Sequence, residues 1–250
     1  MKNVRAKKHL GQHFLNDLRI ASDIINLLNK DTKNVIEIGP GMGVLTKILL
    51  QNNYTIHVVE IDKESVTYLK SNYPNINIHE GDFLKLNIKK KYPFNFSLIG
   101  NFSYNISSQI LFKILDNRQQ ISEVVGMFQK EVAERIFCKK GKKRGILSVL
   151  LQTFYDIEYC LTVDEYVFIP PPKVKSGVLR LVRNKRKNIG VNEKKFRIVI
   201  KAAFNQRRKK LSNALKVFEL IDERKISDLL NLRAEQLSVD DFIKITSYVK

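Results

Sequence analysis

The chain reads as an α/β fold: a parallel sheet with helices on both faces, followed by a small helical domain. Three observations predict it. Short apolar runs rich in Val, Ile and Phe alternate with longer segments of helical period over the first 180 residues. A glycine-rich turn, Gly39-Pro40-Gly41-Met42-Gly43, closes the first of those runs. Acids or an Asn then stand at the ends of successive runs, at Glu37, Glu60, Asp82 and Asn101.

The elements follow in order. Asn34–Gly39 is a buried strand, and Val44–Gln51 continues as a helix. Thr55–Ile61 is the second strand, with a helix from Lys63 to about Asn72. Asn75–His79 and Phe94–Ile99 are the third and fourth strands. Ser107–Leu115 is a helix that Ser107 or Ser108 can cap. Ile121–Phe128 is a fifth strand, Gln129–Phe137 and Ile146–Thr153 are helical, and Tyr155–Leu161 and Gly177–Val182 are the last strands. Asn184–Asn192 is a charged break with a glycine, and only helical pattern follows from Glu193. The expected division is a main domain over 1–184 and a helical domain over 185–250.

At 250 residues and 44% hydrophobic content, the chain can bury a full core. No run approaches the ~20 apolar residues of a membrane span. The segment Met1–Leu10 is basic without an apolar stretch, so no secretory signal is expected, and the motif beginning at Leu10 leaves no room for a transit peptide. Cys138 and Cys160 have no metal-binding spacing, and His9, His13, His57 and His79 have none either. No metal is expected, and a reducing, cytoplasmic setting fits two scattered thiols. A monomer is the default.

The formal charge is +19, and its distribution says more than its size. Residues 183–216 hold 13 Lys and Arg against one acid, residues 1–19 five against one, and residues 137–152 five against none. Those stretches together carry more than the whole net charge. A drift in composition toward Lys, Asn and Ile explains abundance but not clustering. The clusters fit a polyanion, and nucleic acid is the expected partner.

The turn Glu37-Ile38-Gly39-Pro40-Gly41-Met42-Gly43 offers close backbone approach to a ligand. A dinucleotide fingerprint wants G-x-G-x-x-G, but here Val44 holds the third glycine's place. G-x-G-x-G preceded by an acid is instead the pattern of S-adenosylmethionine methyltransferases. Glu60 can accept both ribose hydroxyls in either case. Asp82 can accept adenine amino hydrogens, with Phe83 flanking the ring. Asn101-Phe102-Ser103-Tyr104 follows the fourth strand. The Asn101 side-chain oxygen and the Phe102 carbonyl can accept the two hydrogens of an exocyclic amine, and Tyr104 can stack on the ring that carries it. Phe168 is either the second stacking face or a core aromatic before the Pro170-Pro171-Pro172 turn.

The chain resembles the KsgA/RsmA family of small-subunit ribosomal RNA adenine dimethyltransferases over nearly its whole length. The resemblance is carried by Leu10-Gly11-Gln12-His13-Phe14-Leu15-Asn16-Asp17, Glu37-Ile38-Gly39-Pro40-Gly41, Gly100-Asn101-Phe102-Ser103-Tyr104-Asn105-Ile106-Ser107, Phe168-Ile169-Pro170-Pro171-Pro172-Lys173-Val174 and Ala203-Phe204-Asn205-Gln206-Arg207-Arg208-Lys209-Lys210-Leu211. It implies a Rossmann-like S-adenosylmethionine methyltransferase sheet and a helical C-terminal RNA-binding domain. It implies dimethylation of N6 on two adjacent adenosines in a hairpin loop near the 3′ end of 16S rRNA, in the small subunit or its precursor. His13 and Leu15 would meet the methionine end of S-adenosyl-L-methionine, with Gly39 and Gly41 in the turn. Glu60 would hold ribose, Asp82 adenine, and Asn101 would lie between cofactor and target. Arg207, Arg208, Lys209 and Lys210, expected on a helix, would meet RNA phosphates. The chain departs from the family where Ser103 replaces the usual Pro and Phe102 a Leu or Ile. Two rival readings are an Erm-like 23S rRNA methyltransferase and a mainly non-catalytic assembly factor.

Overall fold

The computed structural model describes residues 4–250; Met1–Asn3, the start of the basic N-terminal stretch, lie outside the described residues. Contacts divide the chain into two compact units, 1–133 with 156–183, and 134–155 with 184–250. One boundary between the units falls between Arg183 and Asn184, at the start of the charged segment. However, a single cut there is corrected: 134–155 groups with the C-terminal helices, because the helix at 146–154 packs on two of them.

In the first unit, β1 (Phe14–Leu15) leads into α1 (Leu18–Asn26), β2 (Asn34–Ile38), α2 (Val44–Leu49), β3 (Thr55–Glu60), α3 (Lys63–Asn72), β4 (Asn77–Glu80), α4 (Ile88–Lys91), β5 (Phe96–Asn101), α5 (Ser107–Asp116) and β6 (Ile121–Gln129). Next come α6 (Lys130–Phe137) and α7 (Ile146–Phe154), and then β7 (Tyr155–Val163), β8 (Phe168–Ile169) and β9 (Ser176–Arg183). Seven strands form one sheet in the order β4-β3-β2-β5-β6-β9-β7. The pairs from β4 to β6 are parallel, but β9 runs antiparallel to β6, so the sheet is mixed rather than parallel throughout. An antiparallel edge on a parallel sheet is common in such folds.

The central strands are largely buried on both faces, which is why they read as mainly apolar runs: Val35, Ile36, Leu98, Ile99, Val124 and Val125 are fully buried. Helix α1 is absent from the sequence expectation although its signal is present. Asp17 caps it by accepting from the Arg19 and Ile20 N–H groups (2.8 and 3.3 Å). Ala21, Ile24, Ile25 and Leu28 recur at helical spacing and are buried. The small sheet β1–β8 is also new: Phe14 faces Ile169 and Leu15 faces Phe168 in antiparallel register. Two-residue strands carry no periodicity to read.

The second unit contains α7, α8 (Glu193–Asn205), α9 (Leu211–Ala214), α10 (Ser227–Leu230) and α11 (Val239–Ser247), with α7, α8 and α11 packed on one another. Asn192 caps α8 through the Lys194 and Lys195 N–H groups (2.9 and 3.1 Å). Phe196, Val199, Ile200 and Ala203 form its buried stripe. Among the described residues, no helix is long and apolar enough to cross a membrane. Among the same residues, no group of three or more His, Cys, Asp and Glu could hold a metal ion. Cys138 and Cys160 are free thiols.

Candidate active site

The strand ends of β2, β3 and β5 open onto one pocket, which also takes residues 9–15, Asp82, Phe83 and Tyr104 into its lining. Crevices at the carboxyl ends of parallel strands are where ligands bind in such sheets. Two glycines shape its floor. Gly39 has φ +64°, its N–H donates to the Val59 carbonyl (2.9 Å), and a Cβ there would meet nothing within 4 Å. A ligand can therefore approach the backbone directly. Gly41 has φ +58°, and a Cβ there would come within 2.7 Å of the Phe14 ring.

Glu60 is only 3% exposed. Its Oε2 accepts from the Gly41 N–H (3.1 Å) and its Oε1 from the Asp62 N–H (2.8 Å). The ribose candidate thus also fixes the glycine turn. Burial pushes the Glu60 carboxyl up, and those N–H groups oppose the rise. Glu37 lies deeper; Thr46 Oγ1 donates to its Oε2 (2.6 Å), and burial pushes its pKa from 4.5 to about 8. Between those values only the unfolded chain ionises at this position. Stability is thereby lost as pH rises, by about 1.4 kcal/mol per unit. Relative to Glu37→Gln, the wild-type melting temperature is expected to fall steadily from pH 5 to 8. A pH-independent gap between the two proteins would show that Glu37 ionises normally.

The N-terminal segment is strapped across this pocket. Lys7 Nζ is paired with Asp62 and with Glu64 (3.3 Å to the latter), and Gln12 Nε2 donates to Asp62 Oδ2 (3.3 Å). Burial disfavours ionised Asp62, but Lys7, Gln12 and Ser65 hold its carboxyl below the usual range. Farther along, the Asn16 N–H donates to the Val167 carbonyl (2.8 Å) and His13 Nδ1 bonds the Pro170 carbonyl (2.7 Å). The strap thereby reaches the segment around β8. Asn101 Nδ2 donates to the His13 carbonyl (2.8 Å), which leaves Oδ1 as the acceptor available to a ligand. The His13 ring stacks on Tyr104 at 5.6 Å, and the Tyr104 hydroxyl bonds Ser176 Oγ at 2.6 Å.

Of the predicted residues, His13, Leu15, Gly39, Gly41, Glu60, Asp82, Asn101, Phe102 and Tyr104 all line this pocket. Phe168 does not. It is 2% exposed within the core beneath β1, so it takes the core role, and the ring beside Tyr104 belongs to His13. The second correction concerns the basic quartet. Helix α8 ends at Asn205, and Gln206 leaves the helical region at φ −113°, ψ 39°. Arg207, Arg208 and Lys209 therefore occupy the turn before α9, with Lys210 as the α9 cap. Arg207 is paired with Glu235 (2.8 Å), whereas Arg208, Lys209 and Lys210 are exposed.

Ser103 has φ −51° and ψ 127°, inside the range a proline ring imposes. The loop has kept the proline conformation without the proline. Ser103→Pro is expected to stabilise the protein by about 0.4–1 kcal/mol, chiefly by narrowing the unfolded ensemble. A fall in melting temperature would show that the loop is shaped by the serine itself.

Sequence reasoning missed Asp62, Ser176 and Gly126. Asp62 precedes a helix with Ser65 three positions on, a capping pattern that was readable. Gly126 is an isolated glycine inside a strand, which signals a close approach: a Cβ there would lie 2.5 Å from the Phe102 ring. Ser176 had no local signal, because its partner Tyr104 is 72 positions away.

Among the described residues, the pocket lining holds three acids, Glu37, Glu60 and Asp82, and no Lys or Arg, in a chain of net charge +19. Such a lining suits a ligand without phosphates. The sheet, its glycine turn and the acids at its strand ends define a Rossmann-like methyltransferase domain. The family profile described as ribosomal RNA adenine dimethylase matches residues 3–250, and the chain belongs to that family. It is 57% identical over 253 residues to the ribosomal RNA small subunit methyltransferase A of Cytophaga hutchinsonii, covering 99% of this chain and 98% of the relative. Two solved structures share the fold. A dimethyladenosine transferase from Plasmodium falciparum has TM-score 0.80 at 24% identity, covering 95% of this chain and 99% of that one. The 23S rRNA methyltransferase ErmE has TM-score 0.74 at 22% identity, covering 94% and 99%.

Proposed function

We propose that the protein transfers methyl groups from S-adenosyl-L-methionine to N6 of two adjacent adenosines in the hairpin loop near the 3′ end of 16S rRNA, in the small subunit or its precursor. The observation that carries this reading is the fixed amide of Asn101. With Nδ2 tied to the His13 carbonyl, Oδ1 is set as a hydrogen-bond acceptor at the end of β5, and Phe102, next in the chain, lines the same pocket. An adenine amino nitrogen is a weak nucleophile because its lone pair is delocalised into the ring. Two acceptors on its hydrogens favour tetrahedral geometry and free the lone pair for in-line attack. This is catalysis by positioning and preorganised electrostatics, and the alkylated nitrogen then loses its proton readily.

The site fits the cofactor. Bound S-adenosyl-L-methionine supplies an electrophilic methyl group on a sulfonium cation, and a lining without Lys or Arg accepts that cation where it would leave a pyrophosphate unpaired. Glu60 would hold the ribose and Asp82 the adenine, while His13, Leu15, Gly39 and Gly41 would border the methionine end. The target base must leave its stack to reach Asn101, and Tyr104, held by Ser176 and His13, offers it a rigid face. RNA hairpins are read by shape and by loop bases. The second unit carries the largest basic cluster and is the proposed RNA-binding domain, acting in the cytoplasm, with the protein as a monomer.

Mass mapping of rRNA after incubation with labelled cofactor and unmodified small subunits tests the reading. Dimethyladenosine at two adjacent positions near the 3′ end of 16S rRNA is expected. Label in 23S rRNA would favour the Erm-like reading, and tight binding without transfer would favour an assembly factor. The overall fold does not separate these possibilities, but the 57% identity to a small-subunit relative favours the first. Removing the charges of Arg208, Lys209 and Lys210 together is expected to flatten the plot of log K against log salt by about 0.7–0.9 for each RNA phosphate they neutralise. An unchanged slope would place the RNA elsewhere.

A further inference from the structure

Asp82 can grip an adenine only if the turn that carries it is held in place. That turn bonds itself through its N–H groups: Asp82 Oδ1 accepts from Leu84 (2.8 Å), and the Asp82 carbonyl accepts from Lys85 and Leu86 (3.0 and 3.1 Å). Its own carbonyls at Leu84 and Leu86 need donors from outside. Both are met by one group, Lys113 Nζ, at 2.6 and 2.7 Å. The same ammonium stands 5.8 Å from the centroid of the Phe83 ring, within cation–π range.

Lys113 is well placed to act as an anchor. It projects from α5, whose Ile110, Leu111, Ile114 and Leu115 are buried in the core. A lysine on a helix flank ordinarily reaches into water or toward a nearby carboxylate. Here the ammonium engages two main-chain carbonyls instead. Burial pushes the Lys113 pKa down, and the Asp82 and Asp116 carboxylates counter that fall. Charged donors make hydrogen bonds about twice as strong as neutral ones, so two of them on one turn constrain it firmly.

We infer that Lys113 is a positioning residue for the adenine end of the cofactor. It ties the Asp82–Leu86 turn to α5, so that the Asp82 carboxylate and the Phe83 ring meet the base together. The inference rests on the proposed role of Asp82 as the adenine acceptor.

Calorimetric titration of S-adenosylhomocysteine and of 5′-methylthioadenosine into wild type, Lys113→Met, Lys113→Arg and Asp82→Ala tests it, together with hydrogen exchange over residues 82–86. Lys113→Met is expected to weaken both ligands by the same factor, about tenfold, because they share the adenosine end. Exchange should rise in the turn, and Lys113→Arg, whose planar fork can reach two carbonyls, should recover most of the affinity. Full affinity in Lys113→Met with a loss in Asp82→Ala would overturn the role of Lys113 and leave the adenine site standing. Full affinity in Asp82→Ala would overturn the adenine site itself. A reduced binding stoichiometry in Lys113→Met at unchanged affinity, with Lys113→Arg like wild type, would mark a folding role only and also overturn the inference.

Discussion

Asn101→Ala is expected to slow single-turnover methyl transfer by about 10²–10³-fold, the usual effect of removing one preorganised hydrogen-bonding partner of a reacting group. Cofactor binding should change only a few-fold, because Glu60 and Asp82 are the residues proposed to hold the other end of that ligand. The reason lies in the geometry around the amide. Nδ2 is committed to the His13 carbonyl, and Oδ1 is the side-chain acceptor offered to the target amine. Asn101→Asp is the informative companion. It keeps an acceptor at Oδ1 but sets a carboxylate oxygen against the His13 carbonyl oxygen, which loosens the strap. An intermediate rate is therefore expected for Asp. Rates in Asn101→Ala within tenfold of wild type would sink the two-acceptor mechanism.

Gly126→Ala should damage both stability and activity. Gly100 and Gly126 face each other across β5 and β6, and the Phe102 ring lies against both. A Cβ at Gly126 would come within 2.5 Å of that ring and 2.8 Å of Phe128. Phe102 is 1% exposed and packs edge-on to Phe128 at 5.2 Å, so it has nowhere to go without moving its backbone. Overpacking of this kind costs about 1–3 kcal/mol. Any shift also displaces the Phe102 carbonyl, so the rate should fall beyond what unfolding explains. The smaller Leu at position 102 should relieve the clash, and Phe102→Leu combined with Gly126→Ala should be more stable than Gly126→Ala alone. Simple additivity in that cycle would show that the ring and the glycine are not coupled.

How far these features could be read in advance depended on the range of the interaction behind each one. The strands β2, β3 and β5 announce themselves because both faces are largely buried, so apolar residues dominate them and Glu37, Glu60 and Ser97 are the buried polar exceptions. Their boundaries shift by a few residues, and β5 runs on to Asn101, which makes the catalytic candidate the last residue of a strand rather than part of a loop. The direction of β9 was not readable, since an apolar strand has the same composition whichever way it runs. The quartet Arg207–Lys210 illustrates the limit of composition. A run of four cations is compatible with helix, and only the end of the α8 stripe after Ala203 shows that the helix has no further face to bury.

The sequence by itself determined the class of fold, the glycine turn, the acids at the strand ends and the Asn101–Tyr104 motif, because each is local chemistry written in contiguous residues. The tertiary structure decided what orients them. The His13 carbonyl lies 88 positions from Asn101, Ser176 lies 72 from Tyr104, and Lys7 lies 55 from Asp62. The tertiary structure also decided that Phe168 fills the core while His13 stands beside Tyr104. Contacts between distant residues depend on how the sheet brings strand ends together, and no local pattern records them. The residues proposed for the chemistry were therefore legible in the chain, and the residues that hold them in position became visible only in the fold.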